Sequence, residues 1–189
     1  MPVLAGAMAV AVLSAFFGGA RIALPSIGEA SLTTGIPYRH LLPLFSAVFL
    51  TAALGGAMSA HEETAGRTAH RVRAAYGAGL TSVVCAVSFG AEALAVGPAQ
   101  GAVFVRSLLI WLGLALLSLR ALGPQLAWAA PLASALLLAW YPLGWWDWTS
   151  NPASDASSWT AAVLALALGV AATAATPWRR HTLRHGRRR

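Results

Sequence analysis

The chain has 189 residues, 58% of them hydrophobic and only 10% charged, and its formal net charge is +7. A soluble domain carries about a quarter charged residues, so this composition, with a mean hydropathy of +0.66, excludes a water-soluble globule. The positive charge sits in arginine runs and not on an amphipathic or aromatic-interleaved face, which argues for a lipid bilayer as partner and against nucleic acid.

The first apolar run, Val3–Ala20, lacks the basic leader of a secretion signal and is followed by further apolar runs, so it reads as a membrane-crossing helix. The connection after it holds Glu29 and His40 between Pro25 and Pro37 and carries no pattern that marks a site. A second run covers Leu41–Ala60. The polar stretch His61–Arg73 comes next, and its spacing fails as a zinc motif, because position 65 is alanine and the next histidine is His70. It reads as a mixed-charge helix in which Glu63 and Arg67 pair one turn apart. Its charged residues Glu62, Glu63, Arg67, Arg71 and Arg73 form a candidate docking loop for a partner protein.

The third and fourth runs, Ala74–Ala95 and Ala102–Leu119, are joined by the short connection Gly97–Gly101. Glu92 and Arg106 lie equally far from Ala99 in helices that must run antiparallel, which predicts similar depths of ~10 Å at 1.5 Å per residue. Two arrangements satisfy such charges: an intramembrane ion pair that pins the hairpin, or two side chains that snorkel separately to the interface. Pro131 lies inside the fifth run, Gln125–Leu143, and predicts a kink there.

The connection between the fifth and sixth runs is bracketed by Trp140, Tyr141, Trp145, Trp146, Trp148 and Trp159. It contains Asp147 and Asp155 and no basic residue, as expected of an outer interface. The sixth run covers Trp159–Thr176. Within it Ala161, Ala165, Gly169 and Thr173 recur at four-residue spacing, a small-residue stripe that predicts close helix packing, within the chain or against a second copy. Six arginines then fill the last eleven residues.

Six runs near the ~20 residues needed to cross the hydrocarbon core predict an all-α polytopic membrane bundle. Residues 1–177 form one transmembrane domain and 178–189 a basic tail. With both termini cytoplasmic, ten arginines lie inside and three (Arg21, Arg39, Arg106) outside, in keeping with the positive-inside rule. The expected location is the plasma membrane.

Templates for catalysis are missing. There is no Gly-x-Ser-x-Gly elbow, no phosphate loop is possible without lysine, and the single Cys85 forms neither a disulfide nor a cysteine-based metal cluster. The expectation is a protein that is not an enzyme, with no cofactor and no metal. In-span polar residues (Ser14, Ser46, Thr51, Thr81, Ser82, Ser107, Ser134) look scattered.

The six-helix layout, the charged loop Glu62-Glu63 through Arg73, and the outer connection with Trp145-Trp146 and Asn151-Pro152 resemble the permease subunits of exporter-class ABC transporters. The chain is also similar to small actinobacterial membrane proteins described as permease-like. The resemblance implies a non-catalytic membrane subunit that docks a separate ATP-binding chain through the charged loop and assembles with a second membrane subunit. An accessory membrane protein, such as an assembly or immunity factor with no transport path, fits the same residues.

Overall fold

The computed structural model describes residues 2–20, 24–25, 33–34, 37–55, 67–140, 148–149 and 151–174. Glu62, Glu63, Trp145, Trp146 and the basic tail, with its boundary at 177, lie outside them. Six α-helices are present among the described residues: α1 (Pro2–Phe17), α2 (Tyr38–Gly55), α3 (Arg67–Ala95), α4 (Pro98–Leu122), α5 (Ala129–Trp140) and α6 (Ala156–Ala174). A 3-10 turn, Pro124–Leu126, precedes α5, and one two-residue antiparallel pair joins Leu24–Pro25 to Thr33–Thr34. The all-helical reading holds. Three stretches, Ala74–Ala95, Pro98–Leu122 and Ala156–Ala174, are long and apolar enough to cross a membrane.

Neighbour contacts show that the helices alternate in direction. Gly6 faces Phe49 and Gly18 faces Arg39, so α1 and α2 are antiparallel. Gly77 of α3 meets Leu54 near the end of α2, and Gly101 of α4 meets Phe89 near the end of α3. α4 and α6 run parallel, because Arg106 reaches Pro152 while Gly113 and Leu116 meet Ala165 and Gly169. α5 must therefore return between them. Its 12 residues span only ~18 Å. One end of the bundle, hereafter the hairpin end, carries the α1–α2, α3–α4 and α5–α6 connections. The opposite end carries Arg67, Arg71, Arg73 and Arg120.

α4 is the hub. In α4, 67% of the most apolar window is buried inside the protein, against 17% in α3 and α6. Its Leu108, Trp111, Leu112 and Leu116 pack with Leu44, Ala47 and Leu50 of α2, Val84 of α3 and Ala135 of α5. The outward apolar residues of α1, α3 and α6, such as Phe16, Leu94 and Leu164, are exposed, as a lipid-facing surface requires.

Several element boundaries differ from the sequence expectation. α3 begins at Arg67, so the basic half of the predicted loop is already helix. α2 begins at Tyr38, which brings Arg39 and His40 into its first turn. Pro131 does not kink α5. It is the third residue of that helix, where the first turn has no intrahelical acceptor for its N–H groups. The proline inside a helix is Pro43 of α2, fully buried.

The small-residue stripe of α6 is also corrected. Ser158, Ala162 and Gly169 are buried, while Ala161 and Thr173 are exposed. Steps of four advance a helix by about 40° past a full turn, so a strict four-residue stripe winds off the contact face within three steps. The packed face alternates steps of three and four through Ser158, Ala162, Ala165 and Gly169, and its partner is α4 of the same chain. A Cβ on Gly169 would lie 2.6 Å from the Gly113 carbonyl oxygen and 3.0 Å from Leu116 Cβ. Gly169→Val is therefore expected to lower stability by about 1–3 kcal/mol or more, measured as the thermal midpoint in detergent, while Ala161→Val leaves it within about 0.5 kcal/mol.

Candidate functional site

The hairpin end gathers polar side chains that the sequence spreads across four elements. α3 stops because Gly97, at φ 124°, takes a backbone conformation closed to other residues at little cost. The Glu92 carbonyl accepts the N–H groups of Val96 (2.8 Å) and Gly97 (3.2 Å), and Pro98 opens α4. The turn is thus centred on Val96–Gly97, not on Ala99.

This shift removes the predicted pair of Glu92 with Arg106. Measured from the true turn, Arg106 lies five residues farther along its helix than Glu92 does, a depth difference of about 7.5 Å. Direction matters as much. Gly101 faces α3, and Arg106, five residues on, leaves α4 about 140° around from that face. Both residues are fully buried, so neither snorkels.

Glu92 instead meets Arg39 of α2. Arg39 Nε lies 3.0 Å from Glu92 Oε2, and its Nη1 donates to Gln100 Oε1 of α4 at 3.2 Å. The Arg39 main-chain N–H donates to the Gly18 carbonyl (3.1 Å) and that of Tyr38 to Ala20 (3.0 Å), so the end of α1 is tied to the same residues. Glu92 Oε1 is buried and has no hydrogen-bond partner among the described residues.

Arg106 serves a second centre, on the opposite side of α4. Nη1 donates to the Pro152 carbonyl at 2.7 Å, and Nη2 donates to Trp148 (3.0 Å) and Asn151 (2.9 Å). Immediately beyond, Asp155 caps α6: its Oδ2 accepts the Ser158 N–H (2.8 Å) and the hydroxyls of Ser157 (2.6 Å) and Ser158 (2.6 Å). These bonds, with the Arg106 charge as a lesser contribution, hold the Asp155 carboxyl down to about 2.

Between the two centres lies an aromatic group in which Trp111 and His40 are buried and Trp148 is half-buried. Trp148 packs edge-on against Trp111 (5.3 Å) and His40 (5.8 Å). Trp111 Nε1 donates to the His40 carbonyl at 2.6 Å, three residues before Pro43, whose ring crowds the carbonyls one turn back. His40 Nδ1 lies 3.3 Å from Ser107 Oγ, but the Ser107 hydroxyl donates to the Val103 carbonyl at 2.8 Å. The serine proton is thus directed at the helix and not at the imidazole. That geometry is not a nucleophile with its base. Among the described residues no three His, Cys, Asp or Glu side chains gather as metal ligands would.

Of the residues singled out from sequence, Glu92 and Arg106 both reach this end but in separate centres. Arg67 and Arg71 lie on the first turns of α3 at the opposite end, where Arg71 is exposed. Ala165 and Gly169 pack on α4. Arg39, His40, Gln100 and Asp155 were missed. Starting α2 three residues earlier would have found the first two, and an aspartate just before an apolar helix is an N-cap signal. No family model, no curated protein and no solved structure matches this chain.

Two expectations follow. Arg39→Glu alone is expected to cost about 3–5 kcal/mol; adding Glu92→Arg recovers part of that loss, whereas Arg106→Glu with Glu92→Arg recovers none. Thermal midpoints of the purified variants decide this. The depressed Asp155 carboxyl stabilises the folded chain above its ordinary value of 3.8 and loses that contribution as pH falls through about 2. Acid titration of the melting temperature should show this loss in the natural chain and not in Asp155→Asn.

Proposed function

We propose that this chain is a non-catalytic, permease-like subunit of an ABC-type export system, crossing the plasma membrane six times with both termini inside. The observation that carries the reading is the continuity of α3. It is one 29-residue helix, ~44 Å long, running from Arg67 at one end of the bundle to Glu92 at the other. A partner bearing on the Arg67–Arg73 segment therefore acts on a rigid element that ends at the buried Arg39–Glu92 contact. Since the chain offers no phosphate-binding loop, the energy for movement comes from such a partner or from an ion gradient.

Charge supports the orientation. Arg39 and Arg106 are held by acceptors inside the hairpin end, while Arg71 at the opposite end is exposed. The free cationic surface belongs on the cytoplasmic side. The six helices among the described residues, alternating in direction, support an even number of crossings.

A second reading, an accessory membrane protein with no path of its own, draws on the filled hairpin end, where Glu92, Arg106, Trp111 and Leu108 are all fully buried. Affinity recovery of the full chain from its own host's membranes separates the two. The permease reading expects a co-purifying ATP-binding chain whose yield falls at least about tenfold, roughly 1.4 kcal/mol, when Arg67, Arg71 and Arg73 are changed to Glu. Recovery of this chain without an ATP-binding chain favours the accessory reading.

A further inference from the structure

We propose that α1, α2 and α3 enclose an internal hydration site, a small cluster of bound water one to two turns beneath the Arg39–Glu92 contact. No ATP-binding partner is needed for it. Four buried oxygens without partners, and the register that gathers them, support it.

Hydroxyls inside a helix commonly donate to a carbonyl three or four residues back. Thr51 and Ser107 do so. Ser14 of α1, Ser46 of α2 and Ser88 of α3 do not. Each is fully buried, and its Oγ has no hydrogen-bond partner among the described residues. Glu92 Oε1 is the fourth such oxygen.

Two contacts fix the register of α2 against α3. Arg39 meets Glu92 and Leu54 meets Gly77, an equal number of residues apart along both helices. Gly18, just after α1, lies at the Arg39 level, since a Cβ on it would stand 3.1 Å from Arg39 Cβ and 3.0 Å from Ser14 Oγ. Ser14 precedes Gly18 by four residues, and Ser88 precedes Glu92 by four. In parallel helices this puts both serines at one depth, about 6 Å beneath the contact. Ser88 shares the face of Glu92, and Ser46 shares the face of Arg39 two turns down. α1 packs on both α2 and α3, so these faces meet. Ser14 and Ser46, which look scattered along the sequence, are brought together by this register. Pro43, between Arg39 and Ser46, adds an acceptor: it has no N–H, so the Arg39 carbonyl lacks its helical donor.

The chemistry of these groups selects the guest. Carboxylate and carbonyl oxygens only accept, while each serine both gives one proton and accepts. A guest must therefore donate as well as accept. Glu92 is already matched by Arg39, so a metal cation would bring an uncompensated charge into an apolar bundle. Water is neutral, donates and accepts, and typically makes about three hydrogen bonds to buried polar groups of this kind. Without it, each oxygen carries the cost of lost hydration unrelieved.

The test is water-edited solid-state NMR on the full chain in lipid bilayers, isotope-labelled at serine. Magnetisation from water should reach Ser14, Ser46 and Ser88 at least about threefold faster than Ser107, which is equally buried but satisfied within its own helix. Rates no faster than that of Ser107 overturn the proposal. Exchanging sodium chloride for choline chloride should leave the three serine signals in place. A shift with sodium puts a cation there and overturns the assignment to water. Stability gives a second measurement. Ser88→Ala is expected to melt at a lower temperature than Ser82→Ala, which changes an exposed serine of the same helix. A Ser88→Ala midpoint equal to or above that control means a hydroxyl that water did not serve, and it overturns the proposal as well.

Discussion

A guanidinium cannot shed its charge inside a bundle of apolar helices, so it must be given acceptors, and Arg106 is given three backbone carbonyls at once. Those carbonyls belong to Trp148, Asn151 and Pro152, the residues that lead into α6. Satisfying one side chain therefore fixes where α6 begins relative to α4. From that anchor the two helices run parallel, and the absence of side chains at Gly113 and Gly169 lets their backbones close. Lipid supplies no hydrophobic drive between helices, so a polar tie at one end and close contact along the rest is an economical way to hold them. Parallel α4 and α6 then leave α5 only one course, back between them.

The second polar centre sits about 140° around α4 from the first and performs the same task for other helices. Arg39 joins α2, α3 and α4 through Glu92 and Gln100, and its main chain takes in the end of α1. Trp111 lies between the centres and is itself tied to the His40 carbonyl. The polar ties near this end thus take in α1, α2, α3, α4 and the start of α6, while the opposite end is held by lighter means, such as Ser118, whose hydroxyl donates to the Leu126 carbonyl. The bundle is stapled at its hairpin end.

The apolar runs were legible in the sequence because length and hydropathy decide them. The details that failed are those set by partners or by phase. Ala99 was taken as the centre of the α3–α4 turn, although Gly97-Pro98 is itself a stop-and-start signal, with glycine able to hold positive φ and proline suited to the first helical turn. Between two and three residues of error at that turn were enough to pair Arg106 with the wrong element. The α6 stripe failed for a related reason: a four-residue repeat looks regular in sequence but is not the period of a helix. Arg39 could be placed only once α2 was known to start at Tyr38, since its carboxylate lies 53 positions away and no local pattern joins them.

The same two arginines bear on orientation. Counted from sequence, Arg39 and Arg106 weigh against the cytoplasmic side of the ledger, because any basic residue at the outer end weakens the bias. Their burial changes what they signify. Arg39 is matched by a carboxylate, and Arg106 is spent on carbonyls with Asp155 nearby. Neither presents a free cation to the interface, as Arg71 does at the other end. On the proposed orientation, with both termini inside, the free charge that favours retention is thus more one-sided than ten against three.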